Sequence, residues 1–531
     1  MRGTRKSAKV RPLEVELKLR VEPAALEQLA TCDILGSSVE RVGPALELQS
    51  TYYDTGDHRL AKRGLTLRVR RIAPRRFVQT IKLEPLSPGT ILERPEWEQP
   101  LRSSHPDPTA LAAIEAEPPL DAIAADELLP VYSTLVMRRS MEVRWPDAEA
   151  GDARIELILD RGRITAGRKR APLAEIELEL LEGPPRALVS LARWLREQVP
   201  FAVETLSKST RGRLLAEDVL PASRTPPRPR LDEDIDIDRS MRTILGQGLG
   251  HWLHHEAIAR DGRDPEGLHQ LRVAIRMLRS VLGILRPAIG DPLGFGLVDR
   301  LRALQGRTSL ARDLDVIALE LLAPLRAVPS LAAELAPLDG RLDRARALAL
   351  AEVRQTIDSA EYRDLVTDLL FWIELGGWRD QARPEAIALL AGPAGDVVGH
   401  VLASRWRKAR KLLKGFTERT AEERHAARIE VKKVRYGSML FTDLFRARRL
   451  KRFSRRLGEL QDTLGQLNDI AVVGHRLRAL ADGAGRDSGL TRAIGLVEGW
   501  YAASGPALLA RASLLVEDAR DSEPPWGKGR S

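Results

Sequence analysis

The chain has 531 residues, 43% hydrophobic and 30% charged, roughly three and a half times a common domain length, so it is expected to bury several cores and is neither disordered nor fibrous. Its net charge of +10 and isoelectric point near 9.8 call for an anionic partner. With aromatic side chains at 4% there are few platforms for stacked bases, so a polyanion without bases, such as a phosphate chain, fits at least as well as nucleic acid.

A single cysteine, Cys32, excludes internal disulfides and CxxC metal knuckles. No stretch reaches the about 20 apolar residues that span a bilayer. Residues 1–11 are basic, but no apolar run of a secretory signal follows them. The expectation is a reduced, cytoplasmic chain without a membrane segment.

Residues 1–217 read as strands. Glu14-Val15-Glu16-Leu17-Lys18-Leu19-Arg20-Val21 alternates strictly, as do Leu65-Thr66-Leu67-Arg68-Val69-Arg70 and Glu175-Ile176-Glu177-Leu178-Glu179-Leu180, which predicts an antiparallel sheet with one apolar and one charged face. Charge is segregated by strand: six basic residues and no acid lie between Leu65 and Lys82, while acids come as the pairs Glu14/Glu16, Glu96/Glu98 and Glu175/Glu177. Carboxylates two apart on a strand share a face about 7 Å apart and can converge on one cation. If the sheet closes into a barrel, these charges line its interior. An ordinary solvated face would look charged too, but would not sort its signs.

Residues 218–238, containing LPASRTPPRPR and then an acidic run, read as a linker. Residues 239–518 turn helical, and residues 519–531 read as a flexible tail. The helical region carries an internal repeat at an offset of 156: His269-xx-Arg272-xxx-Arg276-xx-Arg279 recurs as His425-xx-Arg428-xxx-Lys432-xx-Arg435, Leu304-Gln305 as Leu460-Gln461, and Arg312-Asp313 as Asn468-Asp469. A constant offset marks a duplicated unit, and spacings of 3, 7 and 10 project each basic set from one helical stripe.

Arg405–Arg419 holds seven basic residues against Glu418, and Arg424–Arg456 holds twelve against Glu430 and Asp443. That is too one-signed for routine salt-bridge pairing along a helix. Facing basic stripes would make a groove for a long anion, with affinity falling as salt rises. His251, His254 and His255 share a helical face; anion contact, metal ligation and an ordinary surface all remain open for them.

The first half resembles the CYTH superfamily, the triphosphate tunnel metalloenzymes. The resemblance rests on ExExK as Glu14-Val15-Glu16-Leu17-Lys18, with Thr51-Tyr52-Tyr53-Asp54-Thr55, Gly64 to Arg70, Gln79-Thr80-Ile81-Lys82, Arg94-Pro95-Glu96-Trp97-Glu98 and Glu175 to Glu179 in order behind it. It implies an eight-stranded antiparallel β-barrel forming a tunnel, with triphosphatase or cyclase activity. On that resemblance Glu14, Glu16, Asp160, Glu175 and Glu177, with Glu179 as a further candidate, bind Mg²⁺ or Mn²⁺. Lys18, Arg68, Arg70, Lys82, Arg139, Lys208 and Arg211 hold the triphosphate. Glu96 and Glu98 orient water or a second ion, and with Lys18 form the catalytic set.

The second half resembles a CHAD domain, through the two His repeats, Arg312-Asp313-Leu314-Asp315 and Leu460-Gln461-Asp462-xx-Gly465-xx-Asn468-Asp469. That resemblance implies two pseudo-symmetric helical bundles around a channel binding inorganic polyphosphate, with contacts from His269, Arg272, Arg276, Arg279, His425, Arg428, Lys432 and Arg435. Asp313 and Asp469 would orient arginines. The combined expectation is a cytoplasmic inorganic triphosphatase, associated with polyphosphate granules, that cleaves tripolyphosphate to pyrophosphate and orthophosphate. The alternatives are a non-catalytic polyphosphate-binding protein and an enzyme acting on thiamine or nucleoside triphosphates.

Overall fold

The alternating segments do form strands, and their pairing decides where the charges go. The computed structural model describes residues 14–31, 36–84, 90–109, 123–146, 151–286, 289, 292–380, 382–481 and 488–526; Cys32 lies outside them. The described residues hold eleven strands in one antiparallel sheet: β1 (Glu14–Arg20), β2 (Val39–Val42), β3 (Leu46–Asp54), β4 (Leu65–Ala73), β5 (Arg76–Leu83), β6 (Leu92–Arg94), β7 (Glu96–Leu101), β8 (Leu129–Trp145), β9 (Ala153–Ala166), β10 (Lys169–Glu182) and β11 (Ala202–Glu204).

The order runs β11-β1-β10-β9-β8-β3-β4-β5-β7, with β2 on β8 and β6 on β1. Pro95 separates β6 from β7, so one bent segment pairs with β1 through residues 92–94 and with β5 through residues 96–101. Proline cannot donate to a ladder and suits such a bend, and its carbonyl accepts from Leu83 N–H at 3.2 Å. The bend carries the sheet round into a nearly closed barrel. The count exceeds the expected eight because that segment is split in two and the short β2 and β11 pair alongside.

Both faces of the wall are buried, and the charged one is inside. On β1, Leu17 and Leu19 are fully buried, and so are Glu16 and Lys18. The outward apolar face is covered by the helices Pro23–Thr31 and Arg186–Gln198. A third helix, Lys208–Glu217, enters one end of the barrel. Its Leu215 packs with Tyr132, Val136, Ile164 and Leu173, of which the last three share strand parity with Arg138, Asp160 and Glu175.

The chain divides into two compact units, residues 1–222 with 366–375, and residues 223–365 with 376–531. Within the second, the duplication holds down to helix ends in one pair. Pro265–Ile284, capped by the Asp264 side chain accepting from Glu266 N–H, matches Ala421–Leu440, capped by the reciprocal pair Thr420 and Glu423, at the 156-residue offset. Ile237–Asp261 corresponds to Ala394–Leu413, and Pro329–Asp358 to Ser488–Arg520, with C-terminal ends that differ by a turn or more.

One difference between the copies bears on the basic motif. Pro292–Arg307 and Ser309–Val316 are separate helices, while their counterpart Ala447–Ala481 is continuous. At the break, Arg272 donates to the Gln305 carbonyl at 2.6 Å, Thr308 Oγ1 at 2.7 Å and Ser309 Oγ at 3.3 Å.

Two segments expected to be loose are packed. In the proline-rich stretch Leu231 is buried, with its N–H donated to Asp443 at 3.0 Å, and the acidic run ends in Asp236, which caps Ile237–Asp261. Beyond the last helix, Trp526 sits edge-on to Phe453 and Phe445 with ring centroids at 5.2 and 5.9 Å. A half-buried indole packed on two rings explains why 521–526 do not dangle. Among the described residues no helix is long and apolar enough to cross a membrane.

Candidate functional site

Antiparallel register brings the paired acids together. Across β1, β10 and β9, Glu16 lies opposite Glu179, Lys18 opposite Glu177, and Glu175 opposite Asp160. One oxygen each of Asp160, Glu175 and Glu177 lies within 4.8 Å of the others, and all three residues are buried. Their cations come from other elements: Arg138 of β8 donates to Asp160 at 2.5 and 2.8 Å and to Glu177 at 2.8 Å, Arg211 donates to Glu175 at 2.9 Å, and Lys208 reaches all three.

Glu14 and Glu16 stand on the neighbouring strand. Arg94 donates to both, at 2.9 Å to Glu14, and Lys82 donates to both oxygens of Glu14 at 2.8 Å. Lys18 joins the two acidic groups, donating to Glu16 at 2.5 Å and to Glu177.

Most of these groups line a cavity of about 230 Å³, although Asp160 and Glu175 are not in its lining. Its lining includes Glu14, Glu16, Lys18, Arg68, Arg70, Lys82, Arg94, Glu96, Glu98, Arg138, Glu156, Glu177, Glu179 and Lys208, with small hydroxyls from Thr66, Thr80, Ser207 and Ser209 and one aromatic ring, Tyr52. Tyr52 stacks on Tyr132 with centroids 4.6 Å apart. Arg68 donates to Thr80 at 2.9 Å and lies 3.8 Å from Glu98 and 3.9 Å from Glu96; Lys82 lies 3.1 Å from Glu96.

The local fields follow from this crowding. Burial works against the charge on Glu177, but Lys18, Lys208 and Arg138 outweigh it and hold the carboxyl well below its usual range. Asp160 is lowered too: its burial is outweighed by Lys208 and Arg138. Glu179 is pushed up to about 7 by burial and by Glu14, with Lys82 only partly offsetting them. Burial, with Arg68 and Arg138 alongside, lowers the Arg70 guanidinium to about 9. Buried ion pairs rarely repay their desolvation, so such a concentration of them marks a working site better than a stabilising one.

Three converging carboxylates offer only hard oxygen, which suits Mg²⁺ or Mn²⁺, and Glu175 Oε1, though within ion-pair range of Lys208, accepts no hydrogen bond. The residues fit such an ion.

Two residues are turned from where the sequence puts them. Arg139 is not part of the lining: strand alternation faces it the other way, and it donates to the Ala30 carbonyl at 2.7 Å. Arg138, its neighbour, takes the inward place. Arg211 stands outside the cavity wall, between Glu175 and Glu204. Sequence reasoning missed Arg138, Arg94, Glu156 and Tyr52. Strand parity would have found Glu156, which lies on the same face of β9 as Asp160, whereas Arg138 needs the register.

In the helical unit a second cavity of about 770 Å³ joins the two copies of the repeat. Arg276 and Arg279 line it from the first copy, and His425, Arg428 and Lys432 from the second, with Arg286, Arg302, Arg405 and Lys433 beside them and Asp299 as the one acid. Its remaining wall includes Leu282, Ile284, Ile429 and Tyr436. His269, Arg272 and Arg435 are not in its lining. Arg272 is spent on the helix break, where burial and then Arg276 lower its guanidinium to about 10, and Arg435 lies 3.5 Å from Asp462.

His425 Nδ1 lies 2.7 Å from Asn468 Oδ1, and Asp313 accepts from Arg476 at 2.9 Å. The side chain of Asp469 lies outside the described residues. His251, His254 and His255 are buried, which removes the surface reading for them. His251 Nε2 meets Gln270 Oε1 at 3.1 Å, and His255 Nε2 accepts from Arg224 N–H at 3.0 Å.

The comparisons with known proteins divide at the same place. The CYTH domain family matches residues 12–212 and the CHAD domain family residues 243–478. An inorganic triphosphatase of Haemophilus influenzae is 31% identical over 202 residues, which is 38% of this chain and 54% of that protein; the chain thus spans about half the length of this curated relative. Among solved structures, the CHAD domain of Ricinus communis is 26% identical, covering 55% of this chain and 96% of its own, with a TM-score of 0.47. The Hippeastrum protein HpAC1, described with a dominant triphosphatase activity, is 22% identical, covering 39% of this chain and 97% of its own, with a TM-score of 0.28. This chain is a CYTH domain followed by a CHAD domain.

Proposed function

We propose that the barrel is a divalent-metal-dependent triphosphatase that takes inorganic tripolyphosphate and water to pyrophosphate and orthophosphate. The observation that carries this reading is a cluster of three converging carboxylates, one of which, Glu177, lines a cavity walled by arginines and lysines. Phosphoryl transfer asks a protein for positioned charge more than for covalent chemistry.

Asp160, Glu175 and Glu177 would hold Mg²⁺ or Mn²⁺, with Glu14 and Glu16 adjoining; the ion supplies charge neutralisation at the terminal phosphoryl group. Arg68, Arg70, Lys82, Arg94 and Arg138 bind the phosphate oxygens, and Lys18 sets the spacing between the two acidic groups. Glu96 and Glu98, within 4 Å of Arg68, orient the attacking water. An inorganic substrate is favoured over thiamine or nucleoside triphosphates because the lining offers Tyr52 as its aromatic ring, and Tyr132 already covers one face of it.

The helical unit would bind long-chain polyphosphate in its basic cavity, and so carry the chain to polyphosphate granules in the cytoplasm. The test is orthophosphate release from tripolyphosphate with Mg²⁺ or Mn²⁺, for wild type beside Glu175→Gln/Glu177→Gln. Metal-dependent turnover lost in the double variant supports the reading. A folded wild type with no turnover on either metal sinks it.

A further inference from the structure

Lys208 is the first residue of the helix Lys208–Glu217, and its ammonium stands where a cation for the acidic cluster would stand. Nζ is 2.7 Å from Asp160 and 2.9 Å from Glu177, and it pairs with Glu175 as well. The backbone that delivers it is fastened to the barrel wall. Glu84, just past the end of β5, accepts hydrogen bonds from the hydroxyls of Ser207, Ser209 and Thr210, each at 3.1 Å. Ser207 also caps the helix by accepting from Thr210 N–H at 3.0 Å. Further along, Gly212 lies so close to Tyr132 that a methyl group there would fall 2.2 Å from the ring. Three hydroxyls on one carboxylate and a helix pressed against a tyrosine leave the first turn little freedom.

We propose that Lys208 is a tethered counter-ion of Asp160, Glu175 and Glu177 that competes with the divalent cation for them, and that Glu84 is the positioning residue that sets how strongly it competes. This rests on the reading of the cluster as the metal site. A divalent ion coordinated by those carboxylates at about 2.0–2.6 Å and an ammonium held by the same oxygens cannot share one centre, so the ion enters only as Lys208 swings away. Lys208 also lines the cavity read as the phosphate site, and a phosphate chain there is the acceptor it turns to. Metal and triphosphate therefore help each other bind through this one side chain, which is a coupling free energy between two adjacent sites.

The test uses the full chain and Mn²⁺ alone, titrated calorimetrically without substrate. Lys208→Met is expected to bind Mn²⁺ at least about tenfold more tightly than wild type, a typical size for such a coupling. It is also expected to melt lower than wild type without Mn²⁺ and to recover more on its addition, because three buried carboxylates have lost a partner. Glu84→Ala keeps Lys208 but loosens its tether, and is expected to shift Mn²⁺ affinity in the same direction by less. Equal affinities in wild type and both variants, or weaker binding in Lys208→Met, overturn the proposal; a shift in Lys208→Met with none in Glu84→Ala overturns the part given to Glu84. If Lys208→Met does not fold, Lys208→Gln, which removes the charge but keeps a hydrogen-bond donor for the carboxylates, takes its place with the same expected and overturning results. A wild type that binds no Mn²⁺ overturns the metal reading itself, a different result from binding that ignores Lys208.

Discussion

Lys18 and Glu177 face each other directly across β1 and β10 and share a hydrogen bond, with Glu16 of β1 on the other side of the same ammonium at 2.5 Å. Burial and like-charged Lys208 act against the ammonium, but Glu16 and Glu177 raise its pKa above the usual lysine range, so it stays charged at any pH the protein meets. Lys18→Met would take one cation from each of two buried carboxylates, leaving Glu16 to Arg94 and Glu177 to Arg138 and Lys208. Loss of about 3 kcal/mol of stability in urea is expected, as for other broken buried pairs, together with loss of triphosphatase turnover. A variant as stable as wild type would show that Lys18 is not the cation holding these acids apart.

Arg138 and Arg139 are adjacent in sequence and opposite in role. Arg138→Ala removes one of the cations that Asp160 and Glu177 share and is expected to lower kcat/KM for tripolyphosphate by at least about a hundredfold, the scale of a lost charge contact in a desolvated site. Arg139→Ala gives up one hydrogen bond to the Ala30 carbonyl and should keep turnover, at a stability cost of about 1 kcal/mol. Steady-state kinetics on the two variants side by side decide which arginine faces the substrate.

The repeat offers a matched pair in the helical unit. Arg428 lines the basic cavity, while Arg272 at the equivalent place bonds to the helix break. Arg428→Ala is expected to weaken polyphosphate binding and to lower its salt dependence by about one ion. Arg272→Ala is expected to lower the melting temperature with little change in that salt slope. The opposite assignment would mean that the first copy, and not the second, carries the anion at this level.

The buried histidines give the helical unit an acid limit. His251 is lowered to about 4, first by burial and then by His255, with Gln270 opposing and His254 and Arg224 adding to the effect. His255 is lowered by burial and Arg224, with Asp264 and Glu266 opposing. Because the folded value of His251 lies below its ordinary value, its contribution is complete above about pH 6.5 and is lost as pH falls through about 4, amounting to on the order of 3 kcal/mol. In His251→Gln that part of the pH dependence is gone. Melting at pH 7.5, 5.5 and 4.5 should show the gap between wild type and variant closing as the solution acidifies.

Much of this was legible in the sequence because it depends on local period. Alternation gave β1 nearly to the residue and the middle of β4 and β10, and the 156-residue offset carried Pro265–Ile284 onto Ala421–Leu440. Pairing register was not legible. Whether Arg138 or Arg139 faces inward depends on which residue of β8 meets Asp160, a non-local fact. Nor could composition show that Arg272, inside a repeated basic motif, serves a helix break its twin lacks. The break itself turns on Thr308 and Ser309 standing where the second copy has Leu464 and Gly465. The role of Glu84 was invisible for the same reason: its three hydroxyl partners lie more than a hundred residues away.

The bend at Pro95 has a further consequence. A sheet this long would ordinarily end in a strand with a row of bare amides and carbonyls, ready to recruit the edge of another molecule. Here the segment that would have been that strand turns at its proline and spends one half on β1 and the other on β5. The residue that turns the wall thereby shortens its free edge, and a substitution that straightened it is expected to be felt first as insolubility.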